Sequence, residues 1–215
     1  MIRAVLFDLD GTLADTAPDL GYALNLQLQL HGREPLQFEQ MRPHTSSGTI
    51  GLLRLGFGVT PGSENFDALR LEFMNLYEQN LCRETTLFPG VPELLADLES
   101  RGLPWGIVTN KPKRFTPALV KLLGVFDRAA CVISGDSTAR PKPHPDSLFK
   151  AAEEISVAPE EALYVGDDQR DVQAARAARM LCLIAGYGYL GADANPSEWG
   201  GHAIINHPSE LLDFL

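Results

Sequence analysis

Four short clusters hold the residues most capable of chemistry. Near the start, Asp8-Leu9-Asp10-Gly11-Thr12 sets two carboxylates one residue apart. On an extended chain such residues project to the same side, and Gly11 permits a tight turn beside them. A close pair of like charges is costly unless a cation lies between them. Magnesium takes a few carboxylates together with phosphate oxygens and water. A carboxylate can also attack phosphorus to give an acyl-phosphate. The plain structural alternative is a solvated Asp-Gly turn.

Further along, Gly166-Asp167-Asp168-Gln169-Arg170-Asp171 packs three acids into five residues. With a helix starting near Gln169, Asp167 sits at a strand tip and Asp171 points back from the first helical turn. Asp168 reads equally well as an acid that favours the helix N-terminus. Thr109-Asn110 offers a hydroxyl and backbone amides at a strand-to-helix turn, a cradle for phosphate oxygens or a simple helix cap. In Arg140-Pro141-Lys142-Pro143-His144-Pro145, prolines stiffen the backbone on both sides of Lys142. Its ammonium can then be held against a carboxylate or a phosphate, or be a solvated Lys on a rigid loop. His144 reads as a helix-start residue.

These clusters need a scaffold that brings them together. Short apolar runs, Ile2 to Phe7, Trp105 to Val108, Cys131 to Ile133, Ala162 to Val165, Leu181 to Ala185 and Ala203 to Ile205, end in polar residues or Gly. Helical patterns lie between most of them, at Val91 to Arg101, Phe115 to Leu123, Asp146 to Glu154 and Asp171 to Ala178. A last helix is expected after His207-Pro208-Ser209. This alternation predicts an α/β fold with a parallel sheet covered on both faces. Ligands of such sheets bind beyond the carboxyl ends of the strands, where the four clusters fall.

One segment breaks the rhythm. From about Thr16 to about Glu84 the apolar residues recur at helical spacing, as in Leu20, Ala23, Leu24, Leu28 and in Phe66, Leu69, Phe73, Leu76. About 70 residues is too long for one strand-to-strand crossover. The expected organisation is a core of residues 1–15 and 86–215 with a small helical cap over 16–85. The loop from Arg42 to Gly48, with Arg42, Ser46 and Ser47, is the candidate specificity loop.

The 215 residues carry a net charge of −10, which argues against nucleic-acid or anionic-membrane partners. An anionic substrate then needs a bound cation and local basic groups. The absence of an 18-residue apolar stretch or a signal-like start makes the cytoplasm the expected location. Cys82, Cys131 and Cys182 form no CxxC pair, so they read as reduced thiols.

In this order, Asp8-x-Asp10-Gly11-Thr12, Thr109-Asn110, Lys142 and Gly166-Asp167-Asp168-x-x-Asp171 resemble the four motifs of the haloacid dehalogenase-like hydrolase superfamily. The resemblance covers nearly the whole chain and implies a Rossmann-like core with an inserted helical cap. It implies that Asp8 is the nucleophile and Asp10 the general acid/base. Mg2+ would be held by the Asp8 carboxylate, the Asp10 backbone carbonyl and Asp167. Thr109, Asn110 and Lys142 would hold the phosphate, with Asp171 supporting Lys142 or a metal-bound water. The opening segment is similar to bacterial phosphoglycolate phosphatases. The tail from Gly186-Tyr187-Gly188-Tyr189 to Asn195-Pro196-x-x-Trp199-Gly200 is similar to N-acetylmuramic acid 6-phosphate phosphatases. The implied partner is a small phosphorylated metabolite, and the implied assembly a monomer or homodimer. A dehalogenase has no use for Asp10, a phosphosugar mutase shares every core residue, and a receiver module lacks a 70-residue cap.

Overall fold

The buried apolar runs assemble into one parallel sheet. The computed structural model describes residues 1–191 and 194–215. Its main strands are β1 (Ala4–Phe7), β4 (Trp105–Val108), β5 (Val132–Ile133), β6 (Ala162–Gly166), β7 (Leu181–Ala185) and β8 (Ala203–Ile205), ordered β5-β4-β1-β6-β7-β8. Every pairing in it is parallel, for example Leu6 with Gly106 and with Tyr164. Alternate residues feed opposite layers. Val5, Phe7 and Val165 pack with α5 (Val91–Ser100) and α6 (Thr116–Leu122), while Leu6 and Tyr164 pack with α7 (Asp146–Ile155) and α8 (Gln169–Ala178). Burial on both faces is why these strands read as continuous apolar runs. Because β1 lies between β4 and β6, the crevice at its carboxyl end is the switch point of the sheet.

Between the first and second main strands the chain is helical: α1 (Ala17–Leu30), α2 (Phe38–Met41), a 3₁₀ turn (Arg42–Ser47), α3 (Gly48–Phe57) and α4 (Phe66–Gln79). These helices bury their own cluster, including Leu24, Leu28, Leu52, Leu53, Phe73 and Tyr77, and Phe115 of the sheet layer joins it. The chain leaves and returns through a two-stranded antiparallel ribbon, β2 (Ala14–Asp15) with β3 (Thr86–Leu87), in which Asp15 faces Thr86. Buried Asp19 ties this stem by accepting the backbone N–H groups of Arg83, Glu84 and Thr85 and the Thr85 hydroxyl.

The helix expected at the C-terminus is present, in a tighter form than the α-helices of the sheet layers. Pro208–Phe214 is a 3₁₀ helix. Pro208 and Leu211 are buried and Phe214 partly so. That three-residue recurrence matches the three residues per turn of a 3₁₀ helix rather than 3.6. No helix among the described residues is long and apolar enough to cross a membrane.

Candidate active site

Three strand ends and one loop deliver side chains to one crevice. Asp8 follows β1, Thr109 follows β4, Lys142 lies on the loop before α7, and Asp167 follows β6. Oxygens of Asp8, Asp167 and Asp171 all lie within 4.8 Å of one another. They border a cavity of about 260 Å³, as do Asp10, Thr109, Asn110 and Lys142.

Each position has a local cause. The Asp8 carboxylate accepts the Leu9 N–H at 2.7 Å. Gly11 has φ +83°, and a Cβ there would collide with the Asp167 carboxylate, so the turn after Asp8 requires glycine. Asp167 is buried, accepting the Thr12 hydroxyl at 3.0 Å and the Tyr189 N–H at 2.9 Å. Asp10 accepts the Thr16 hydroxyl at 2.6 Å and the Lys111 ammonium at 2.9 Å on the same oxygen.

Lys142 is buried, and its ammonium donates to Asp171 at 2.6 Å, Tyr164 at 2.7 Å and the Val108 carbonyl at 3.0 Å. It lies 3.1 Å from Asp8. The Asn110 side chain brackets the Lys142 backbone, donating to its carbonyl and accepting its N–H. That amide is therefore occupied in fixing the lysine loop. Thr109 is buried, and its hydroxyl oxygen accepts the Lys111 N–H.

Burial, and then the Asp171 and Asp10 charges, push the Asp8 carboxyl up to about 7, although Lys142 pulls the other way. Burial and the charges of Asp8 and Asp171 push Asp167 well above the ordinary carboxylate range. A buried, all-oxygen cluster whose ionised form is this disfavoured fits a hard divalent cation such as Mg2+. Asp168 behaves differently. Burial alone would raise it, but hydrogen bonds from Arg170 and Ser46 hold it below its usual value. It caps α8 by accepting the Arg170 N–H, while Asp171 accepts the Asp168 N–H.

The candidate specificity loop divides. Ser46 and Ser47 border the cavity, but Arg42 does not. Its Nη1 donates to both Asp15 carboxylate oxygens, at 2.8 and 2.9 Å, and the guanidinium lies over the Tyr189 ring. His144 sits just before α7. Ala192 and Asp193, inside the tail segment singled out above, lie outside the described residues.

Sequence reasoning missed Lys111, Tyr77, Arg70 and Tyr189. Lys111 had a visible signal, standing next to Thr109-Asn110. Tyr77, buried, and Arg70, exposed, both belong to an amphipathic helix that borders the cavity. Tyr189 links the metal-type cluster to the stem, its N–H on Asp167 and its hydroxyl on Asp15 and on the N–H groups of Thr16 and Ala17.

Comparison with known proteins agrees with this geometry. The family model for haloacid dehalogenase-like hydrolases matches residues 2–179, and the chain belongs to that family. Its curated relatives include phosphatases. It is 37% identical to the N-acetylmuramic acid 6-phosphate phosphatase of Pseudomonas aeruginosa, over 100% of this chain and 95% of that one. It is 42% identical to the phosphoglycolate phosphatase of Xylella fastidiosa, over 97% of this chain and 91% of that one. The fold matches the crystal structure of a predicted phosphoglycolate phosphatase from Haemophilus somnus, with TM-score 0.87, 24% identity and coverage of 99% and 97%.

Proposed function

We propose that this protein is a Mg2+-dependent phosphomonoesterase acting on a small phosphorylated metabolite through an aspartyl-phosphate at Asp8. One observation carries the reading: a nucleophile-ready carboxylate, Asp8, lies 3.1 Å from a buried ammonium and within one ion's reach of two more acids. Asp8, Asp167 and the Asp10 backbone carbonyl would hold the ion, which lowers the repulsion between an anionic nucleophile and an anionic phosphoryl group.

The chain's own groups do the rest. Asp8 attacks phosphorus in line, forming an O–P bond as the bond to the leaving alcohol breaks. Asp10 hands its proton to that alcohol, then takes one from the water that hydrolyses the acyl-phosphate. Thr16 and Lys111 fix the orientation of Asp10. Lys142 and the Thr109 hydroxyl bind phosphoryl oxygens, with Asp171 and Tyr164 holding the lysine. Residues 16–85 act as a cap that excludes water and contacts the alcohol. Phosphoglycolate and N-acetylmuramic acid 6-phosphate are the two substrates to which the named relatives point.

A panel of phosphorylated metabolites with Mg2+ tests this. Inorganic phosphate should be released from at least one, and Asp8→Asn should lower kcat by at least about 10³-fold with the fold intact. Turnover persisting in Asp8→Asn removes the nucleophile assignment. Transfer of the phosphoryl group to a second sugar hydroxyl, without phosphate release, would make the protein a mutase instead.

A further inference from the structure

Helix α4 borders the cavity with two polar groups that the reaction does not use, the hydroxyl of buried Tyr77 and the guanidinium of exposed Arg70. Tyr77 borders the cavity and is 1% exposed, and its hydroxyl makes no well-formed hydrogen bond, with the Lys111 ammonium as its polar neighbour. A buried hydroxyl without a partner is costly, and a site that retains one is built to meet an acceptor from outside. The Lys111 ammonium lies 4.6 Å from the Tyr77 ring centroid and 2.9 Å from Asp10. An acceptor at Tyr77 therefore sits beside the general acid, close to where the leaving oxygen must be.

Arg70 is seven residues earlier on the same helix, two turns away and on the same face, with a rise of about 10 Å between the two positions. The other cations bordering the cavity are neutralised: Lys111 by Asp10, Lys142 by Asp171 and Arg170 by Asp168. Among the described residues Arg70 makes no ion pair and no side-chain hydrogen bond, yet it faces the same cavity. A guanidinium is a planar fork that matches a carboxylate through two parallel hydrogen bonds.

We propose that α4 reads the leaving group at two points, Tyr77 donating to an oxygen near the scissile ester and Arg70 holding a carboxylate at the far end. The substrate class is then a sugar-sized phosphomonoester bearing a distal carboxylate. A glycolate arm, with one methylene between ester oxygen and carboxylate, spans far less than the rise of about 10 Å between the two helix positions. This rests on the phosphatase reading and narrows it.

The test compares kcat/KM for N-acetylmuramic acid 6-phosphate, N-acetylglucosamine 6-phosphate (the same sugar without the acid arm) and phosphoglycolate, in wild type, Arg70→Gln and Arg70→Lys. Wild type should prefer the acid-bearing sugar to the plain one by about tenfold or more. Arg70→Gln should bring that ratio to within about twofold, through KM rather than kcat, and Arg70→Lys should restore part of it. A wild-type ratio near one, an unchanged ratio in Arg70→Gln, or a larger loss on phosphoglycolate than on the acid sugar overturns the assignment while leaving the phosphatase reading in place. Hydrolysis of phosphoglycolate alone overturns it as well. Failure of wild type to hydrolyse any phosphomonoester brings down both readings.

Discussion

The Ser46 hydroxyl donates to Oδ2 of Asp168 at 2.6 Å, joining residues 122 positions apart in the chain. Arg170 completes the junction, its guanidinium on both Asp168 oxygens and on the Ser46 carbonyl at 2.7 Å. The 3₁₀ turn of the helical insertion is thus latched to the first turn of α8, at the cavity that Asp8 and Asp167 also border. One acid of the fourth motif serves the latch while its neighbours face the crevice.

That latch makes a kinetic prediction. Ser46→Ala removes one charge-assisted hydrogen bond across the junction and leaves Asp168 held by Arg170. The insertion should then sit less firmly over the site. We expect KM to rise roughly threefold to tenfold, with thermal stability nearly unchanged. Steady-state kinetics and a melting curve check it, and an unaltered KM would show that the contact does not hold the insertion in place.

Asp168→Ala should show a second consequence that Ser46→Ala lacks. Asp168 is also the N-cap of α8. Replacing a capping Asp by Ala costs about 1 kcal/mol, whereas Asn caps almost as well. The expected order of stability by chemical denaturation is wild type, then Asp168→Asn, then Asp168→Ala. Equal midpoints for Asn and Ala would mean that capping contributes little here.

Tyr77→Phe should go the other way. The buried hydroxyl makes no well-formed hydrogen bond, so its removal relieves desolvation at the cost of no more than a weak contact with the Lys111 ammonium. Stability should rise, by about 1 kcal/mol, while kcat/KM falls. Thermal unfolding beside a kinetic assay would reveal both, and a loss of stability would mean that the hydroxyl is satisfied in the free protein.

These predictions lie where the sequence was least informative. The parallel core was legible because strands buried on both faces show as apolar runs. Trp105 to Val108, Leu181 to Ala185 and Ala203 to Ile205 fall where expected. The convergence of Asp8, Asp167 and Lys142 was legible because all three sit at or near the carboxyl rim of such a sheet. The stem was not: β2 and β3 have two residues each, too few for any periodicity. Nor was the pairing of Arg42 with Asp15, since a lone arginine on a polar loop looks the same whether it meets a substrate or a stem carboxylate. Tyr77 and Arg70 were hidden because on an amphipathic helix the one reads as core and the other as solvent-facing, and periodicity carries no mark for a cavity.

The acid cluster gives the last prediction, in pH and metal together. Asp8 is pushed up to about 7 in the folded protein, from an ordinary value of 3.8, by burial first. Asp167 moves the same way. Between those limits the folded state binds more protons than the unfolded state, so stability at these groups is present at low pH and falls as pH rises through about 7. Metal binding requires the ionised carboxylates and offsets their repulsion. The gain in melting temperature from millimolar Mg2+ should therefore be small near pH 5 and grow towards pH 8. Asp167→Asn should lose most of that gain, because a neutral amide is a poorer ligand for Mg2+ than a carboxylate. Melting curves of both proteins with Mg2+ or with chelator, at pH 5, 6.5 and 8, measure this directly. A Mg2+ shift of equal size at all three values would mean that the ion does not bind at Asp8 and Asp167.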